Sequence, residues 1–151
     1  GDHRDLHLSL RRQRQMCIRD SRLLGRPFEV RGVVTPGDRR GRTIGFPTAN
    51  IPTTPDLQVP ADGVYAAWYV RDDGAQYPAA VNIGKRPTFY DDAERSLIEA
   101  HLIGFRGDLY GESAKVRFVR RLRGEKKFDG IDSLKQQLVK DVADAAKCLA
   151  E

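Results

Sequence analysis

At 151 residues the chain fits one domain of ordinary size, long enough to bury a core and too short for two comfortable ones. The net charge of +5 suggests nucleic acid until it is divided: residues 1–22 hold six Arg and three acids, leaving 20 bases against 18 acids in residues 23–151, a weak footprint for binding a phosphate backbone. Beyond residue 22 only one His (His101) and one Cys (Cys148) remain, which excludes a zinc cluster, a disulfide framework and a Cys-x-x-Cys redox pair within one chain.

In chain order, residues 1–22 show no sustained period and carry Met16 and Cys17 among their arginines. They are set apart as a non-native or disordered leader, with the body of the protein in residues 23–151. The body contains no Met, so a longer parent protein is expected upstream. The leader lacks the apolar centre of a secretory signal, and no apolar run approaches the roughly 20 residues of a membrane span. A cytoplasmic protein is expected.

From Phe28 the chain reads as short strands broken by Gly and Pro: Phe28–Val34, Gly63–Val70, Tyr77–Ile83, Ser96–Phe105 and Ala114–Leu122. Each is rich in β-branched, aromatic or alternating residues. Five or six such strands predict a mainly β protein built as a barrel. In the last strand Val116, Phe118 and Leu122 share one face, and Lys115, Arg117 and Arg121 the other, the alternation of a strand with one wet side. The period then changes, with Ile131, Leu134, Leu138, Val142, Ala145 and Leu149 spaced for one amphipathic helix against the barrel. Asp129 is placed to cap it, and Asp132 suits its first turn.

Four stretches are candidates for chemistry. Residues 32–50 follow a strand with Gly37, Gly41 and Gly45 beside Arg39, Arg40 and Arg42. Backbone N–H groups at glycine can approach an anion, and Arg supplies fixed charge, so a phosphate site competes here with a plain basic surface loop. Neither standard nucleotide-loop pattern is present. Thr48 and Asn50 offer two neutral oxygens on the same side of an extended backbone. That donor set suits magnesium arriving already bound to ATP phosphates, although an Asn-ended turn after Pro47 would look the same. In Ser96–Phe105, Leu97, Glu99, His101 and Ile103 face one way, and Ile98, Ala100 and Leu102 the other. A carboxylate on so apolar a strand is costly unless it is paired or hydrogen-bonded, which makes Glu99 the candidate general base. His101 borders the same face, and a hydrogen-bonded structural imidazole is an equal reading of it. Residues 82–88 read as a turn, and residues 122–128 as a charged loop able either to cover a flat ring or simply to connect.

In order, these stretches resemble the riboflavin kinase family, in particular the C-terminal kinase module of bifunctional bacterial FAD synthetases. The resemblance runs from about Leu24 to Ala146. It rests on G-x-V-x-x-G at 32–37, G-R-T-I-G-F-P-T-A-N at 41–50, G-V-Y-A at 63–66, V-N-I-G-K-R-P-T at 81–88, E-A-H-L at 99–102, D-L-Y-G at 108–111 and L-R-G-E-K-K-F at 122–128. Lys85 and Gly124 depart from the family pattern. The resemblance implies a six-stranded antiparallel Greek-key barrel with a C-terminal helix, and Mg-dependent transfer of the ATP γ-phosphate to the 5′-hydroxyl of riboflavin. It implies Glu99 as catalytic base, Thr48 and Asn50 as magnesium ligands, and Gly37, Arg42, Thr48 and Tyr110 at ATP. Arg123, Lys126 and Phe128 fall at the flavin. It further implies native fusion to an FMN adenylyltransferase domain, for which no stretch here serves, and neither a nucleic-acid nor a membrane partner. The alternative is a basic β-barrel that binds single-stranded nucleic acid. Such modules stack bases on strand aromatics, whereas Lys115, Arg117 and Arg121 share their face with Val119.

Overall fold

The computed structural model describes residues 28–37, 40–54, 57–87 and 94–150. The expected leader, residues 1–22, lies outside the described residues, as do Arg39 and Thr88. Six strands form one antiparallel sheet in the order β1-β6-β3-β4-β5-β2: β1 (Phe28–Val33), β2 (Ala49–Pro52), β3 (Gly63–Val70), β4 (Gln76–Pro87), β5 (Glu94–Leu102) and β6 (Ser113–Arg123). Between β1 and β2 lies a helical turn, α1 (Arg40–Thr43), and after β6 a long helix, α2 (Ile131–Ala150).

The sheet curls until its ends meet, giving the expected Greek-key barrel. The chain just past β1 is joined to β2 by the bridge between Thr35 and Asn50. Beside it the strands touch so closely that a Cβ on Gly32 would lie 2.5 Å from Ile51 Cγ2. The interior is filled by alternate residues of every strand, among them Val30, Ile51, Tyr65, Tyr69, Val81, Ile83, Ile98 and Val116. β3 is apolar on both faces because its outer face is covered too: Ala66 and Ala80 pack against Ala145 and Cys148 of α2 in a second cluster. Small side chains on both sides let helix and sheet approach.

Several expectations shift in detail. β2 is four residues long with Pro52 at its end, too short to show a period. β4 runs on to Pro87 through a stretch expected to turn. The alternation in β6 holds through Phe118 and then breaks at two register shifts against β3. As a result Leu122 packs under α2 rather than beside Phe118, and Arg121 turns in to donate to the Asp62 carbonyl at 2.8 Å. A bulge adds a residue to one strand and so moves the side chains beyond it to the other face. In α2 the first backbone bond runs from Leu134 N to Gly130 O at 3.2 Å, so Gly130 and not Asp129 holds the cap position. Ile131 is 62 % exposed and stays off the packing face.

Tyr69 is fully buried, and its hydroxyl has no hydrogen-bond partner among the described residues. Burial first, then the nearby Glu112 charge, push the phenol up to about 12. Because the folded value lies above the ordinary 10, stability linked to this group is complete below pH 10 and is lost as pH rises toward 12. Tyr69→Phe should therefore raise stability by about 1 kcal/mol near neutrality and melt with less alkaline loss than the parent. Urea melts at pH 7 and pH 11 check both, and a variant less stable at pH 7 would contradict the assignment.

Candidate functional site

Strand register assembles the site. Asn50 of β2 lies opposite Glu99 of β5, Glu99 lies opposite Asn82 of β4, Asn82 opposite Val64 of β3, and Val64 opposite Arg123 of β6. Residues in cross-strand register share a face, and this row faces outward. It lines a cavity of about 550 Å³ between the sheet and α2. Val64 and Ala80 form an apolar floor, Leu134, Leu138 and Val142 form the roof, and Phe46 and Phe128 also line it.

A second cavity of about 470 Å³ is lined by Arg42, Leu102, Phe105, Arg106, Asp108 and Tyr110 among others. The two cavities share Thr48 and Asn50. The segment from Gly41 to Thr48 partitions them: Gly41, Ile44 and Phe46 face the first, Arg42 and Pro47 the second. Its fold is fixed locally. Phe46 N donates to Gly41 O at 2.7 Å and Ile44 N to the same oxygen at 3.2 Å, and a Cβ on Gly41 would collide with the Phe46 carbonyl. The segment is also tethered to β5. His101 Nδ1 lies 2.8 Å from Pro47 O and must donate, because a carbonyl only accepts; the imidazole packs 5.5 Å from the Phe46 ring centroid. His101 thus has the structural role weighed for it, inside the site.

Asn50 is 4 % exposed. Its Nδ2 donates to Thr48 O at 3.4 Å, leaving Oδ1 as an acceptor, and its own carbonyl receives Thr35 N at 2.8 Å. Gly37 presses on it: a Cβ there would lie 2.5 Å from the carboxamide atoms. Among the described residues no group of three or more His, Cys, Asp or Glu could hold a metal. A cation here would draw on neutral oxygens such as those of Thr48 and Asn50, with its other ligands coming from a bound anion. Phe105 of the second cavity is backed by a forked ion pair, Arg71 Nε and Nη2 to Glu112 at 2.9 and 3.0 Å. The same guanidinium stands 5.3 Å over the Phe105 ring.

The residues singled out from sequence therefore gather at one place. Glu99, Arg123, Lys126 and Phe128 line the first cavity, Arg42 and Tyr110 the second, and Thr48 and Asn50 their junction. Gly37 supports Asn50 from outside both. Arg123 is committed to protein partners: Nε and Nη2 donate to the two oxygens of Asp141 at 2.9 and 2.8 Å, Nη1 to Gly124 O at 2.9 Å. Sequence reasoning missed Asn82, whose position opposite Glu99 needs the β4–β5 register, and Asp141, which is an acid at the edge of an apolar stripe. A lone acid between Leu138 and Val142 was the available signal.

The sequence matches the Flavokinase family, described as riboflavin kinase, over residues 24–149. A bifunctional riboflavin kinase/FMN adenylyltransferase of Bacillus subtilis is 43 % identical over 126 residues, covering 83 % of this chain and 40 % of the relative. Its counterpart in Haemophilus influenzae is 42 % identical over 123 residues, covering 82 % of this chain and 39 % of the relative. The chain thus spans about two fifths of the length of these curated relatives. The crystal structure of a riboflavin kinase from Trypanosoma brucei superposes with a TM-score of 0.62 at 25 % identity, covering 83 % of this chain and 78 % of that one. A crystal structure named as a macrolide-efflux protein from Streptococcus pneumoniae superposes with a TM-score of 0.79 at 37 % identity, covering 89 % of this chain and 45 % of that one. No described helix here is long and apolar enough to cross a membrane.

The contact between Gly37 and Asn50 makes a local prediction. Gly37→Ala should displace the Asn50 carboxamide while the barrel stays folded, seen as a shift of the Asn50 side-chain amide signals in an NMR spectrum. Unmoved signals would mean that the loop, not Asn50, gives way.

Proposed function

The chain belongs to the riboflavin kinase family, and on that premise we propose that it moves the γ-phosphate of ATP to the 5′-hydroxyl of riboflavin, giving FMN and ADP. One observation supports this above the rest: two cavities of substrate size meet at Thr48 and Asn50, with Glu99 directly across from Asn50. The first cavity has the apolar floor and roof that a flat tricyclic ring needs, and a polar margin at Asn82 and Glu99 for a ribityl chain. Phe128 and Lys126 border the ring, with Arg123 behind them. The second cavity takes the nucleotide beside Arg42 and Tyr110, with Gly37 shaping the phosphate end through Asn50.

Phosphoryl transfer asks a protein for alignment and charge neutralisation more than for covalent help. Glu99 accepts the proton of the ribityl hydroxyl as its oxygen bonds to the γ-phosphorus. The bond from that phosphorus to the bridging oxygen breaks, and ADP leaves with the electron pair. Arg42 offsets phosphate charge from the loop. Thr48 and Asn50 fit magnesium carried in by the nucleotide, and magnesium supplies further neutralisation of the phosphates.

Residues 23–151 are proposed as the kinase module of a cytoplasmic protein whose upstream part carries the FMN adenylyltransferase found in the curated relatives. The nucleic-acid reading loses support because its arginines are engaged. Glu29 accepts Arg117 Nε at 2.8 Å and Arg31 Nε at 3.0 Å, and the Arg117 hydrogen bond, aided by Arg31, holds its carboxyl below the usual carboxylate value.

Incubating residues 23–151 with riboflavin, Mg²⁺ and ATP should yield FMN by chromatography, and no FMN from a folded sample defeats the proposal. Glu99→Gln should lose about 10²–10⁴-fold in turnover while keeping its ATP affinity; full turnover would remove Glu99 from the base role. Asn50→Ala should weaken Mg·ATP binding about tenfold, equivalent to about 1.4 kcal/mol, and a calorimetric titration at wild-type affinity would remove Asn50 from the metal.

A further inference from the structure

Helix α2 is held to the barrel in two different ways along its length. From Val142 onward it lies on the sheet, with Ala145 and Cys148 buried against Ala66 and Ala80. Before that point it stands off: Leu134 and Leu138 are only half-buried and face the first cavity across from Val64 and Ala80. Apolar roof over apolar floor is a gap that the hydrophobic effect favours closing. Asp141 sits at the boundary, 3 % exposed. Its two oxygens take the fork of Arg123, and Oδ1 also receives Gln137 Nε2 at 2.9 Å. The same guanidinium holds Gly124 O at 2.9 Å and stands 5.9 Å from the Phe128 ring centroid. Strand β6, the loop after it and helix α2 therefore meet at one planar cation, whose fork tolerates little change in distance or angle.

We propose that the Arg123–Asp141 pair is a strut that holds the N-terminal half of α2 off the sheet, keeping the first cavity open before a ligand arrives. This rests on the reading of that cavity as the riboflavin site and makes Arg123 a positioning residue rather than a ligand contact. A preformed slot spares the ligand the cost of lifting the helix. A buried ion pair is also a poor device for stability alone, since apolar residues of similar volume often hold a fold as well or better.

Replacing both partners by apolar residues tests the strut. In the double variant Arg123→Met with Asp141→Leu, the roof should settle on the floor. Its melting temperature should stay at or above that of the parent, and ATP affinity within about twofold, while riboflavin affinity, read by fluorescence quenching, falls about tenfold or more. Amide exchange across residues 131–138 should slow in the absence of any ligand. Unchanged riboflavin affinity, or equal losses for both ligands, overturns the strut. If the double variant does not fold, Asp141→Asn carries the same comparison: selective loss of riboflavin supports the strut and parallel loss of both ligands overturns it. Should the parent itself not bind riboflavin, the functional reading fails, and amide exchange still decides the strut.

Discussion

The register of β5 between β2 and β4 is the constraint on which the site depends. It sets Glu99 directly between two carboxamides, Asn50 on one side and Asn82 on the other. The same pairing sends Ile98, Ala100 and Leu102 into the barrel. A slip of one residue would bury the carboxylate and expose three core side chains, so hydrophobic burial enforces the geometry of the polar row. The polar row thus inherits its placement from the core.

Closure of the barrel constrains the same site from the other side. The seam between β1 and β2 is held by one bridge and by tight side-chain packing, and Asn50 is a partner in that bridge. The residue at the junction of the two cavities is therefore also a closing residue of the barrel. Its backbone is pinned by Thr35, just past β1, on one side and by β5 on the other, which leaves only the carboxamide to be oriented, by Thr48 O and by the press of Gly37.

Much of this was legible in the sequence, and the exceptions have physical reasons. Strand β3 and the span of α2 can be read from composition and period because each is long and packs on a continuous surface. The outward face of Glu99 and His101 can be read from alternation in β5, which no bulge interrupts. Legibility failed where a contact joins distant residues. Asn82 stood at the end of an expected strand, where a turn was expected to begin, and only pairing with β5 extends β4 past Ile83. Leu122 and Arg121 were assigned faces by alternation that two register shifts then reversed, and a shift of that kind is decided by the partner strand. The partner of Arg123 was hidden for the same reason: Asp141 lies 18 residues on, and the only trace of it in the sequence is a lone acid beside the apolar stripe of the helix.

The glycine-rich segment shows why composition alone left function and flexibility undecided. Read as a string, residues 32–45 suit a mobile basic loop as well as a phosphate site. In the fold, Gly37 leaves room for the Asn50 carboxamide and Gly41 for the Phe46 carbonyl. In both places the missing side chain is what allows a polar group to come close. Glycine there serves fit more than freedom, and the segment is further tied down by His101 at Pro47. A partition held in this way between two cavities can align a hydroxyl on one side with a phosphate on the other. That alignment is the main demand a phosphoryl transfer makes of its protein.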